Sequence, residues 1–375
     1  MARELKIVFT GGGSGGHAMP AVSLIKSLQK YSENNDIKLS ILYIGSKNGI
    51  EKKIIANLNV NYKSISTGKL RRYFSFSNFF DIFRILKGLF DSFFIIKKFS
   101  PDLLFSTGGF VSVPPVIAAK LLKKKVIIHE QTIDAGLANK ISSKFADKIC
   151  ITFKESLRYF PNNKTVVTGI PLRENIFEGN KDRGLERFGF DKNLPTVFFT
   201  GGGLGCHILN RTALKIMPQL LEKTNVIFQT GGSNNGNDFI EMKKIKEELP
   251  SDLKKRFVVY DFVNEELGDV FKITDLAVAR SGAGTVCELI ALKIPAIFIP
   301  LSIATNNEQY KNAEIMKNAK AAKIIEENIL TESILYETIN DILFSDSIKK
   351  MKESFKNIED TNGREKILNL ILETA

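Results

Sequence analysis

At 375 residues with 43% apolar content, the chain is long enough for two domains that bury their own cores without a disulfide or metal staple. Its three scattered cysteines (Cys150, Cys206, Cys287) and three histidines form no zinc, disulfide or other metal framework, and they fit a reducing compartment. A net charge of +12 points either to an anionic partner or to a lysine-rich surface; with no Trp and no nucleic-acid module in the sequence, nucleic acid is not the expected partner.

The chain enters an apolar strand, LKIVF (5–9), almost at once, so no signal peptide is expected. No uncharged apolar run approaches the roughly 20 residues of a membrane span. After the first strand comes TGGGSGGHAMP (10–20), with five glycines, Ser14 and then His17. A glycine-rich turn between strand and helix lets backbone N–H groups approach a ligand without Cβ interference, and the helix start adds partial positive charge. Five glycines exceed what a turn alone requires, so a phosphate or sugar hydroxyl is expected against them.

Further strands are expected over 39–45, 101–106, 124–130 and 164–169. The second strand ends in LYIGSKNG, without the acidic residue that a dinucleotide-binding fold places on the ribose. Between strands, residues 69–99 (KLRRYFSFSNFFDIFRILKGLFDSFFIIKKF) carry more Phe and Ile than one buried stripe takes, with basic ends. The segment reads as an interfacial surface for anionic lipid, or as a core helix with a solvated edge.

Residues 197–207, VFFTGGGLGCH, repeat residues 7–17, IVFTGGGSGGH, with seven of eleven positions identical at an offset of 190. A strand, a glycine loop and a terminal histidine therefore open each half of the chain. Strands are expected again over 225–232, 256–262, 275–282, 294–300 and 321–327. Continuous apolar strands alternating with helical periods imply an α/β chain of parallel sheets covered on both faces. The expected division is a first Rossmann-like domain over 1–168 and a second over 169–345. The strandless tail, 346–375, is expected to pack back on the first.

In the second half, ARSGAGTVCEL (279–289) runs from a strand into a helix through Ser281, Gly282, Ala283 and Gly284, a device suited to a diphosphate. Glu288, one turn further on, can accept hydrogen bonds from both hydroxyls of a ribose, or it is an ordinary surface glutamate. Gln309 can reach a sugar hydroxyl, and Asn306 is a binding residue or a plain N-cap.

These motifs together resemble the MurG family of GT-B glycosyltransferases, the UDP-N-acetylglucosamine–N-acetylmuramyl-(pentapeptide) pyrophosphoryl-undecaprenol N-acetylglucosamine transferases. GGGSGGHAMPA, STGGFVSVPPVIAA (106–119), HEQTIDAGLANK (129–140), GIPLR (169–173), GGGLGCHILN (201–210), RSGAGTVCEL and NNEQYKNA (306–313) carry the likeness in order over nearly the whole chain. The resemblance implies two Rossmann-like domains facing across a cleft. It implies inverting transfer of GlcNAc from UDP-GlcNAc to the muramyl 4-hydroxyl of lipid I (the undecaprenyl-diphosphate-linked muramyl pentapeptide), giving lipid II. It also implies a peripheral position on the cytoplasmic face of the cell membrane. By position, Ser14, Gly15 and Gly16 would lie beside the donor sugar and diphosphate, with Arg173 on phosphate or sugar. Phe262 and the backbone of Val263 would flank the uracil. Ala283, Gly284, Thr285, Val286, Cys287 and Glu288 would hold diphosphate and ribose, and Gln309 the sugar. Thr132 and Gly203 stand where the family usually has Asn and Ser at donor contacts. Other readings are another UDP-sugar glycolipid transferase, for instance one using diacylglycerol, a UDP-sugar epimerase, or a non-catalytic UDP-sugar-binding subunit.

An inverting transfer needs a base for the acceptor hydroxyl and stabilisation of the leaving UDP. His17 is one candidate for the base or for positioning the acceptor; Glu130, with His129 beside it, is the rival. His207 stands where the family usually has Arg and would sit on the phosphate side. The chain has no Asp-x-Asp, so no metal clamp and no cofactor are expected.

Overall fold

The computed structural model describes residues 4–13, 15–68 and 76–375. Ser14 and the start of the Phe-rich segment, 69–75, lie outside the described residues. Contacts divide the chain into two units, Met1–Arg173 with Thr361–Ala375, and Glu174–Asp360.

The first unit is a seven-stranded sheet: β1 (Glu4–Thr10), β2 (Lys38–Ser46), β3 (Asn61–Ile65), β4 (Leu103–Ser106), β5 (Lys125–Glu130), β6 (Lys148–Ile151) and β7 (Thr165–Val167), in the order β3-β2-β1-β4-β5-β6-β7. Every pairing is parallel. The second unit has six strands: β8 (Thr196–Thr200), β9 (Asn225–Gln229), β10 (Phe257–Tyr260), β11 (Leu276–Ala279), β12 (Ala296–Phe298) and β13 (Ala322–Ile324), ordered β10-β9-β8-β11-β12-β13 and again all parallel.

Parallel strands joined by helical crossovers are covered on both faces, which is why their sequences are apolar without interruption. In β1, Ile7 and Phe9 point to one face and Val8 to the other, and all three are fully buried. On the Ile7 face lie helix Gly15–Asn34, through Leu24 and Ile25, and the C-terminal helix Arg364–Thr374, through Ile367 and Ile371. The tail thus divides. Helix Ser347–Ser354 stays with the second unit, where Met351 joins the core, while hydrogen bonds from Ile170 N to Thr361 O and from Gly363 N to Ile170 O (both 2.8 Å) fasten the return into the first.

The two strands that the sequence reading does not anticipate are β3 and β6. In β3, NYKSI, only Ile65 is buried, because an edge strand needs one sparse apolar face. In β6, KICI is too short for its apolar run to stand out.

In both sheets the chain winds outward on one side of the first strand and then returns to its other side. The loops after β1 and β4, and those after β8 and β11, therefore leave in opposite directions and open a crevice at the carboxyl ends of the strands. Thr10 pairs with Ser106 at one such point and Thr200 with Ala279 at the other. Among the described residues, no helix is long and apolar enough to cross a membrane.

Candidate functional site

The first glycine loop is packed largely against the protein itself. Gly12 N donates to Gly108 O (3.3 Å), joining the loops after β1 and β4 backbone to backbone. A Cβ on Gly109 (φ +82°) would lie 2.0 Å from Gly12 O. One on Gly12 would lie 2.7 Å from the Glu51 carboxyl carbon, and one on Gly13 would lie 2.6 Å from the Phe110 ring. The Tyr43 hydroxyl donates to Gly11 O (2.9 Å). Gly15 differs: no protein atom lies within 4 Å of a Cβ there, and Gly16 is exposed. The part of the loop open to a ligand is thus its end, where helix Gly15–Asn34 begins.

His17 lies in the first turn of that helix, half-buried. Its Nδ1 is 3.0 Å from Thr107 O. A carbonyl only accepts, so Nδ1 carries the proton and Nε2 holds the lone pair. Gln131 Nε2 donates to the same carbonyl (3.0 Å). Burial pushes the imidazole pKa below its ordinary value, while the Glu130 charge, the Thr107 carbonyl and the Glu51 charge pull it partly back. At neutral pH His17 is therefore a neutral base with Nε2 as its accepting atom.

The rival pair is built differently. His129 is fully buried; its Nε2 donates to Gly169 O (2.9 Å) and its Nδ1 has no partner. Burial lowers its pKa to about 4, so it stays neutral and ties β5 to the segment after β7. Glu130 is 3% exposed and its carboxylate accepts five hydrogen bonds. Gln131 N (2.9 Å), Thr132 N (3.2 Å) and Thr132 Oγ1 (3.1 Å) meet Oε1; Gly136 N and Asn139 Nδ2 (both 3.0 Å) meet Oε2. A carboxylate so occupied organises its own loop. Thr132 is likewise turned inward, with its hydroxyl also 2.8 Å from Asp134 O.

The second unit presents the more open loops. A Cβ on Gly202, Gly203, Gly282 or Gly284 would meet nothing within 4 Å. Helix Ala283–Leu292 starts at Gly282 with no side-chain cap, so its first N–H groups are available to an anion. Gly284, Thr285 and Glu288 are partly exposed on one face, at i, i+1 and i+4. Val286 and Cys287 are fully buried, and Ala283 is 8% exposed, so these three can offer a ligand only backbone. Val263 N already donates to Gln229 Oε1 (2.9 Å), so a backbone contact to a base falls to its carbonyl. Phe262 beside it is exposed. Gln309 Oε1 accepts from Leu301 N (3.1 Å), which leaves its amide N–H groups for a sugar. Asn306 is not the N-cap of the following helix, Glu308–Asn318. Asn307 occupies that position, without a side-chain bond, and both asparagines have positive φ. Arg173 is half-buried at the end of the first unit's main segment. His207 is exposed at the start of helix His207–Leu221, with Nδ1 2.7 Å from Oδ1 of the buried Asp238.

Sequence reasoning missed Arg280 and Glu327. Arg280 Nη2 donates to Glu327 Oε1 (2.5 Å) and Nη1 to Ile299 O (3.0 Å), and Glu327 Oε2 accepts from Ser302 N (2.9 Å). This half-buried pair ties together the carboxyl ends of β11 and β12 and the segment after β13. Its partners lie 47 residues apart, so no local pattern announces it.

Two family models match the chain: the glycosyltransferase family 28 N-terminal domain over residues 7–151 and the C-terminal domain of the same family over 196–367. The chain belongs to glycosyltransferase family 28. A relative from Clostridium perfringens (strain SM101 / Type A) is 39% identical over 374 residues, covering 100% of this chain and 99% of its own length. One from Clostridium botulinum (strain Loch Maree / Type A3) is 40% identical over 363 residues, covering 95% and 98%. Both are named UDP-N-acetylglucosamine–N-acetylmuramyl-(pentapeptide) pyrophosphoryl-undecaprenol N-acetylglucosamine transferase. Among solved structures, Acinetobacter baumannii MurG aligns with a TM-score of 0.74 at 24% identity, over 98% of this chain and 99% of that one. A UDP-GlcNAc 2-epimerase from Neisseria meningitidis, bound to UDP-GlcNAc, aligns at 0.64 with 15% identity over 99% of each. At such identities the likeness is one of fold, the GT-B arrangement of two Rossmann-like domains, which transferases and epimerases share.

Proposed function

We propose that this family 28 chain transfers N-acetylglucosamine from UDP-GlcNAc to the muramyl 4-hydroxyl of lipid I, with inversion, making lipid II for peptidoglycan synthesis. The observation that carries the reading is full-length identity near 40% to transferases of that name, with a glycine loop at each switch point. In this reading His17 Nε2 takes the proton of the acceptor hydroxyl as its oxygen bonds to the anomeric carbon. The bond from that carbon to the diphosphate breaks, and UDP leaves with the electron pair. The uncapped start of helix Ala283–Leu292 stabilises the charge that develops on the diphosphate. Glu288 accepts from the ribose hydroxyls and Gln309 donates to the sugar. Glu130 enters as the charge behind His17 and not as the base.

The acceptor's lipid demands a membrane. On helix Phe76–Phe99, Ile82, Phe83, Leu86, Phe90 and Phe94 are 48–66% exposed, interleaved with Arg84 and Lys87 and followed by Lys97 and Lys98. Large apolar side chains among cations suit the headgroup region of an anionic bilayer, which supports a peripheral position on its cytoplasmic face.

The test is a transfer assay with labelled UDP-GlcNAc and a short-chain lipid I analogue, in EDTA. Labelled disaccharide lipid is the expected product. Tight UDP-GlcNAc binding without product would keep the donor site, overturn the acceptor, and make diacylglycerol the next substrate to try.

A further inference from the structure

Glu51 takes no step in the transfer proposed above, yet it is a fully buried carboxylate in the short helix Ile50–Ile55. Its Oε1 accepts from Ser46 N (2.9 Å) and Ser46 Oγ (2.5 Å). Its Oε2 has only a long contact, 3.5 Å, from Gly13 N of the first glycine loop. Among the described residues it has no ion-pair partner. A buried charge held without a cation is costly, so its retention asks for a use.

Its surroundings are shaped to keep it there. A Cβ on Gly49 would lie 2.2 Å from Oε2, and one on Gly12 would lie 2.7 Å from the carboxyl carbon. Tyr62 OH donates to Ser46 O (2.6 Å) and Tyr43 OH to Gly11 O (2.9 Å), so two hydroxyls brace the same two loops. Burial, with the Glu51 charge behind it, pushes both phenols well above their ordinary pKa and keeps them as donors. The charged and titratable groups facing His17 are Glu130 from the end of β5, Glu51, and His129. Glu130 is saturated by its own loop; Glu51 Oε2 is not.

We propose that Glu51 is a positioning residue for His17: it anchors the first glycine loop from beneath and supplies the fixed negative charge that the imidazolium meets when it takes the acceptor proton. This rests on the reading of His17 as the base. The long Gly13 contact is the one expected to shorten when a ligand seats the end of the loop, as such contacts tighten in productive complexes.

The experiment compares Glu51→Gln, which keeps the shape and removes the charge, with wild type in kcat against pH, KM for UDP-GlcNAc and melting temperature. The expected result is a kcat lower by about tenfold or more with KM within about twofold. The acid limb should move to lower pH by about half a unit, because loss of a nearby negative charge disfavours protonated His17. An unmoved acid limb, or undiminished kcat, overturns the proposal. Ser46→Ala, which removes the shortest bond to Glu51 but keeps the charge, guards against misfolding of the first variant. It should lower kcat several-fold with the acid limb in place, and wild-type turnover in it also overturns the proposal. His17→Ala run in parallel separates the two readings. An acid limb that survives in it removes His17 as the base, and with it the premise, whatever Glu51→Gln does.

Discussion

The two glycine loops share seven of eleven residues and the same place in their sheets, yet they are packed in opposite ways. In the first, Gly12 and Gly13 lie against Glu51 and Phe110. In the second, their counterparts Gly202 and Gly203 face nothing. Further along the pattern inverts: Gly15 is open, while a Cβ on its counterpart Gly205 would lie 2.3 Å from Thr230 O. The histidines diverge too. His17 is half-buried and bonded to a carbonyl, which leaves it a neutral base; His207 is exposed and bonded to a carboxylate. In the proposed function, one motif is thus a braced platform for a proton acceptor in one unit and an open wall for a donor in the other. Glycine count alone does not distinguish the two uses; what a Cβ would meet does.

The largest expected effect tests the bracing. Gly109→Ala adds a Cβ 2.0 Å from Gly12 O at a residue with φ of +82°. It should destabilise the first unit by about 3 kcal/mol or more, from left-handed strain plus backbone overlap. Gly203→Ala should stay within about 0.5 kcal/mol of wild type, any effect falling on donor binding. Urea unfolding of both variants checks this, and equal destabilisation would break the contrast.

Acid sensitivity comes next and should belong to the first unit. His129 has a folded pKa of about 4 against an ordinary 6.5. Between those values the unfolded chain binds more protons, so stability is complete above 6.5 and is lost as pH falls toward 4. The loss is on the order of 3 kcal/mol from His129, and His17 adds in the same direction. Hydrogen exchange at pH 5 should open β1, β4 and β5 before β8 and β11, and His129→Gln should flatten the pH slope. Simultaneous opening of both sheets would contradict it.

The smallest effect concerns helix Phe76–Phe99. Phe90→Glu or Phe94→Glu should each weaken binding to anionic vesicles by about 1–2 kcal/mol, with transfer to a short-chain, water-soluble acceptor unchanged. Vesicle co-sedimentation reads the first and the transfer assay the second. Unchanged co-sedimentation would take the patch out of the account.

Much of this frame was legible in the sequence, because unbroken apolar strands and glycine runs are local signals. The second-unit loops, their helix start and the repeat itself could all be read from residues alone. What could not be read was direction. Gly11 and Gly12 look like ligand-facing glycines, and only neighbours distant in sequence, Tyr43, Glu51 and Thr107, turn them inward. Glu51 in NGIEKK carries no local signal of burial, yet it is fully buried where a Cβ on Gly12 or Gly49 would collide with its carboxylate. Glu130 beside His129 reads as half of a catalytic pair, and the five hydrogen bonds its carboxylate accepts, all from donors within nine residues, carry no signal in the sequence.

The central claim is a division of labour, with turnover resting on the first loop and donor binding on the second. Calorimetric titration of UDP into His17→Ala and Glu288→Ala, beside initial transfer rates for each, tests it most directly. The account predicts that His17→Ala binds UDP like wild type but turns over about 10²- to 10⁴-fold more slowly. Glu288→Ala should bind UDP about tenfold or more weakly, with much of its rate recovered at saturating donor. Weakened UDP binding in His17→Ala together with wild-type binding in Glu288→Ala would contradict it.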